Sequence, residues 1–575
     1  MKRRVFCLAV SLGLIIASCG SPDKMKDSAD QIKVTCDPAV LEATAGVIKA
    51  KITVTFPEKY FHPDAVLEML PVMKYDGGEQ AGTAKLLQGE KVKDNNQVIA
   101  AKGGSYTQEL QFSYTPELAK STLEIRPTLI VKGQRMQFPK DIKAADGVIA
   151  TYTLAQVEVK PVYMVDQYVQ VVGDEKEAEI KFVINQSTVR TSELKKEDIK
   201  ALEQFIAEAS KGENNATLKE LQISSYASPD GPTELNEKLS TARGKSANDA
   251  LNQYFKKSKA RVSKDLVSIQ HTAEDWDGFQ ALVAASDIQD KELILRVLSM
   301  YNDPAIRERE IKNMSKVYQV LAEKILPQLR RSKMIAKVEI AQLNDEAIKT
   351  FVDANNLDTL NLEQLLYAGN KLYDDYATKI ALYRKAAEKF DDARAYNNLG
   401  AVYIQQKDTA NAAPVLTAAN TKKANDLSIK NNLGYLALLQ GDKANAEKQL
   451  AEAGLEAGKL GLGYLAIGKG DYSNAVTLLR GAKTENEVLA LILLGKNEDA
   501  KKVLADLQTP LASYLKAIVA VRFNDSNGVT DNLQDASQDA TLKARADKDI
   551  EFANFAPKAE QPAAEPVAEP AATQQ

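Results

Sequence analysis

Apolar and polar residues alternate most cleanly in the first third of the chain. Ile48, Ala50, Ile52, Val54 and Phe56 are interleaved with Lys49, Lys51, Thr53 and Thr55. A period of two predicts a strand with one buried face. Further strand-like runs at residues 65–72, 106–114, 123–131 and 148–154 are parted by Gly and Pro turns. Residues 32–155 therefore read as a small β-sandwich of immunoglobulin-like spacing, with a spacing or docking role.

Beyond it the period switches between two and 3.6. Ile180, Phe182 and Ile184 predict a strand, and Ile199, Leu202, Phe205, Ile206 and Ala209 stripe a helix. Residues 221–226 predict a second strand, 233–254 a second helix, and Val267, Ile269 and His271 a third strand. A last strand at 334–340 closes an α/β domain over residues 156–342. Its third and fourth strands are separated by a helical insertion, residues 275–330, in which Asp303-Pro304 starts a longer helix and Trp276 packs the insertion down.

In the second helix Arg243 shares the inward face with Leu239, Ala247, Ala250 and Leu251. A guanidinium there must pair, snorkel or meet a ligand, because an unpaired buried charge is costly. The stretch from Tyr226 through Gly231, Asn236, Leu239, Ser240 and Arg243 resembles the OmpA-like domain, the peptidoglycan-binding module of Gram-negative envelopes. The resemblance implies that an acid and Arg243 hold the ammonium and carboxylate of the diaminopimelate stem, with Ser228, Asp230 and Asn236 around it. Ser228 stands where the family has its Asp, Asp230 lies two positions later, and Gly244 replaces the Ala that follows the Arg.

The C-terminal half repeats itself. Leu433-Gly434 follows Leu399-Gly400 by 34 residues, and Ala446, Leu450 and Ala453 follow Ala412, Leu416 and Ala419 in the same phase. A third copy has Leu462-Gly463, Ala475, Leu479 and Ala482, and a fourth keeps Ala500 and Leu504. This pattern resembles the tetratricopeptide repeat and implies an all-α solenoid over residues 343–555, whose groove takes a protein partner. Asn397, Tyr403, Asn431 and Tyr435 are the candidate groove residues. The Pro- and Ala-rich segment 556–575 reads as a disordered tail.

The N-terminus bears on compartment. Lys2, Arg3 and Arg4 precede an apolar stretch too short to span a bilayer, and Ile16-Ala17-Ser18-Cys19 follows. That ending resembles a lipobox, which implies a signal peptide at 1–18, a lipidated Cys19, a polar tether at 19–31 and anchoring in the outer membrane, facing the periplasm. With Cys7 in the signal and Cys19 modified, Cys36 is the one thiol left, and two histidines cannot build a Cys/His metal site. Charges are balanced, 74 basic against 78 acidic. No basic cluster suggests nucleic acid.

No P-loop, G-x-S-x-G or H-E-x-x-H motif is present, so neither catalysis nor a cofactor is expected. Two functions remain. In one, a lipid-anchored envelope protein binds peptidoglycan through its OmpA-like domain and a protein through its repeats. In the other, the central domain does not bind the wall, and the chain is a scaffold for an outer-membrane or secretion complex.

Overall fold

The computed structural model describes residues 22–555 apart from 259 and 261. The expected signal segment, Cys19 and the expected tail therefore lie outside the described residues. The described residues form two compact units, residues 22–164 together with 379–555, and residues 165–378. The extended segment 156–164 thus belongs with the first unit and residues 343–378 with the second, so neither unit ends at 155 or 342.

In the first unit the N-terminal strands build one continuous sheet, a half-barrel, in place of two stacked sheets. The strand Val40–Thr44 causes this. It pairs antiparallel with Val47–Phe56 on one side and parallel with Ile142–Ile149 on the other, joining what a sandwich keeps apart. The link to Val47–Phe56 is the two-residue turn Ala45-Gly46, both at positive φ, which suits a tight hairpin. Ile48, Ala50, Ile52, Val54 and Phe56 all face the core, where they meet Leu67, Met69, Leu123, Ile125 and Leu129. The strand expected at 148–154 begins earlier, at Ile142, and shifts register between Asp146 and Val148 around Gly147. Residues Thr151–Leu154 form a 3-10 turn instead.

The helices of the first unit pair in sequence: Ala393–Gln405 with Thr409–Lys422, Leu427–Leu439 with Lys443–Ala453, and Lys459–Gly468 with Tyr472–Leu479. Glu485–Leu493 then pairs with Asn497–Leu504, and Pro510–Arg522 with Ser526–Ala536. The repeat signature has a steric reason. A Cβ on Gly400 would stand 2.5 Å from Leu416 Cγ, one on Gly434 2.7 Å from Leu450 Cγ, and one on Gly463 2.4 Å from Leu479 Cγ. Each glycine is the gap into which the leucine of the paired helix fits. The second helices of the first three pairs begin on Asp408, Asp442 and Asp471, whose carboxylates accept from the amides of Asn411, Asn445 and Asn474.

The second unit has a four-stranded sheet ordered Val171–Lys181, Arg331–Ala341, Ala216–Tyr226, Val267–Thr272, with only the last pair parallel. Helices Glu197–Ser210 and Thr233–Ser258 cover one face. Ile199, Leu202, Ile206, Ala247 and Leu251 pack there on Ile180, Ile223, Met334 and Ala336. The residues between the third and fourth strands form helices with a core of their own around Phe279, Ile294, Leu298 and Leu321. Trp276 joins that cluster, edge-on to Phe279. The single helix expected after Pro304 is two, Pro304–Asn313 and Ser315–Lys324, because Met314 leaves helical ψ.

Candidate functional site

The helix Thr233–Ser258 and the loop before it bring the four residues expected to hold a stem peptide into one cluster. Their polar groups are already engaged. Arg243 is 1% exposed, and its Nε donates to the carbonyl of Gln186 at 3.1 Å, Nη1 to that of Tyr226 at 2.9 Å and Nη2 to that of Val183 at 3.5 Å. Its guanidinium lies 5.4 Å from the Phe182 ring centroid. Burial, with the nearby Arg330 charge, lowers its pKa to about 10.

The acid is taken by a residue that the sequence reading missed. Arg330 Nη2 pairs with Asp230 Oδ2 at 2.9 Å, and Arg330 Nε donates to Ser228 Oγ at 3.1 Å. Ser228 Oγ in turn donates to Asp230 Oδ1 at 2.5 Å. The side chains of Arg330 and Asp230 are only 10% and 14% exposed. Asn236 donates to the carbonyl of Gly231 at 2.9 Å and so pins the turn. Gly244 serves packing, since a Cβ there would stand 2.9 Å from Ile269 Cγ2. The one signal for Arg330 in the sequence was the Arg330-Arg331 pair just ahead of the last strand.

In the repeat unit, the chain's own segment 156–164 runs extended along the first helices of the repeats, in the direction opposite to the order of the repeats. Three asparagines each hold both backbone groups of one of its residues. Asn398 Oδ1 accepts from Met164 N at 2.6 Å while its Nδ2 donates to Met164 O at 2.9 Å. Asn432 does the same with Val162 at 2.7 and 2.8 Å, and Asn486 with Gln156 at 3.0 and 2.7 Å. Asn398 and Asn432 stand two residues before the packing glycines Gly400 and Gly434, and Gly461 takes that place in the third repeat.

The expected groove residues are part of this arrangement and are not free for a second polypeptide. Asn397 Nδ2 donates to Val162 O at 3.0 Å, and Asn431 Nδ2 to Lys160 O at 3.3 Å. The Tyr403 hydroxyl accepts from Arg384 at 2.9 Å, and the buried Tyr435 hydroxyl donates to Ala457 O. Met164 is buried among Ala419, Ile429, Tyr396 and Leu433. Tyr163 donates to Gln405 Oε1 at 2.7 Å and packs on Tyr383. Glu158 lies by the start of the helix Glu485–Leu493, where Thr484 and the Asn486 backbone amide act to lower its pKa. Burial, reinforced by Glu485, nevertheless raises its pKa to about 7.

Among the described residues no group of His, Cys, Asp and Glu could hold a metal, and no helix is long and apolar enough to cross a membrane. No protein-family model and no curated protein matches this chain. Two solved structures are similar to its helical part. One, from a functional characterization of Pseudomonas aeruginosa pilF, is 16% identical, with a TM-score of 0.26, and covers 37% of this chain and 97% of its own. The other, a tetratricopeptide repeat protein from Parabacteroides merdae, is 13% identical, with a TM-score of 0.27, and covers 36% and 91%. At such scores neither likeness carries the argument. The repeat reading rests on the period and on the glycine-leucine pairing.

Proposed function

We propose that this protein is a non-enzymatic scaffold of the bacterial envelope, moored in the outer membrane by a lipid on Cys19, whose repeats hold extended polypeptide. The observation that supports it is the bidentate grip of Asn398, Asn432 and Asn486 on backbone amides, a geometry suited to a polypeptide strand and to little else. In the OmpA-like reading of the second unit, the Arg330–Asp230 pair favours a scaffold over a wall-binding protein. A zwitterionic stem needs a free acid and a free cation, and these are engaged with each other's neighbours.

Cosedimentation with purified peptidoglycan tests this reading. The wild type and Arg243→Ala are expected to remain equally in the supernatant. Sedimentation of the wild type that Arg243→Ala abolishes would restore the wall-binding function. Metabolic labelling with a palmitate analogue, with and without Cys19→Ala, tests the anchor.

A further inference from the structure

Residues 156–164 belong to no helix or strand, yet they are held along the repeats at alternate positions: Gln156, Glu158, Lys160, Val162 and Met164. We propose that this segment is a displaceable occupant of the groove. A partner protein's extended segment takes its place on Asn398, Asn432 and Asn486, presenting a methionine-sized apolar residue where Met164 is buried. The proposal rests on the scaffold reading and adds to it the chemistry of the partner segment and the contact that competes with it.

Three observations carry it. At Gln156 and Val162 recognition goes through N–H and C=O, which every non-proline residue supplies, so a different sequence can make the same contacts. The fit is incomplete at the middle. Gly461 leaves the third repeat without the asparagine its neighbours use, and Asn431 Oδ1 is buried with no hydrogen-bond partner. Such an atom lowers the stability of the complex that contains it, and a differently placed N–H would satisfy it.

Side-chain selection is confined to one place. Met164 fills the pocket formed by Ala419, Ile429, Tyr396 and Leu433. The partner is therefore an extended segment with a methionine or leucine at the position of Met164.

The test uses the full chain and a fluorescein-labelled peptide copying residues 154–166, followed by anisotropy. Val162→Pro removes the N–H that Asn432 accepts and loosens the resident segment. The peptide is expected to bind this variant at least about tenfold more tightly than the wild type, because less of the groove is occupied. Adding Asn398→Ala and Asn432→Ala is expected to abolish binding. Failure of the Val162→Pro chain to bind the peptide overturns the proposal.

Hydrogen exchange on the wild type keeps the proposal testable if that variant does not fold. The amides of Val162 and Met164 should exchange at least about tenfold faster than those of Ile48 and Ile52. Equal protection makes the segment a permanent part of the core and overturns the exchange. A photo-cross-linker at Gln405 in cells separates the two readings. Peptide binding with no protein captured there sinks the scaffold and leaves displacement standing, whereas no peptide binding sinks displacement whatever is captured.

Discussion

Arg330 and Asp230 form an ion pair at 2.9 Å with both side chains largely out of water. Ser228 bonds both partners, so the three groups make a closed polar cluster. Removing one charge from such a pair strands the other. Arg330→Ala is expected to destabilise the protein by about 3–5 kcal/mol, and Arg330→Met with Asp230→Leu by much less. Urea unfolding of the single and double variants checks this. Equal loss in both would mean that the cluster's packing matters and its charge does not.

The glycine of each repeat is required by its leucine. Gly434→Ala forces a methyl to 2.7 Å from Leu450 Cγ and is expected to cost about 1–3 kcal/mol. Gly468 has nothing within 4 Å of its Cβ position and ends a helix. Gly468→Ala should therefore be neutral or stabilise by up to about 1 kcal/mol. Thermal unfolding of the two variants side by side is the measurement, and equal shifts would contradict the pairing.

Asn486 holds Gln156 through two hydrogen bonds at the far end of the resident segment. Asn486→Ala leaves a peptide N–H and C=O to find water. About 1–3 kcal/mol of local stability is expected to go with them. The readout is faster hydrogen exchange at Gln156, with the half-barrel amides unchanged. Unchanged exchange at Gln156 would show that packing alone holds this end.

Glu551 gives the first unit a pH dependence. Its side chain is fully buried, accepts from the Thr151 hydroxyl at 3.1 Å and faces Arg522, and burial outweighs the arginine to raise its pKa to about 7. A carboxyl whose pKa is higher folded than unfolded binds a proton more tightly when folded. Its contribution is thus fully present below about pH 4.5 and is lost as pH rises through 7. The wild type should lose up to about 3 kcal/mol over that window relative to Glu551→Gln. Chemical unfolding of both proteins between pH 4.5 and 8 decides it. Parallel curves would assign the pH dependence elsewhere.

Much of the local structure was legible in the residue pattern. Period two at Ile48 to Phe56 is the burial of one strand face. The recurrence of Gly400, Gly434 and Gly463 ahead of Leu416, Leu450 and Leu479 is a packing rule, and a packing rule between sequence neighbours leaves a trace in sequence. The helix caps at Asp408, Asp442 and Asp471 recur in the same phase and are equally local, but were not read from the sequence. The break at Met314 escaped notice because an unbroken apolar stripe is compatible with one helix or two.

What escaped the linear reading is long-range pairing. The sequence brought Arg243, Asn236 and Ser228 together as a candidate site, yet Arg330 arrives from just before the last strand, about a hundred positions away, and nothing in its neighbourhood says which acid it meets. Asn397 and Asn431 were identified as groove residues from their helices. That their ligand is the chain's own segment 156–164 depended on the fold returning that segment to the repeats. Spacing along the chain specifies which faces are apolar and where helices begin. Which polar group satisfies which buried donor is decided only when distant elements close around it, because a hydrogen bond depends on distance and angle and carries no periodic signature.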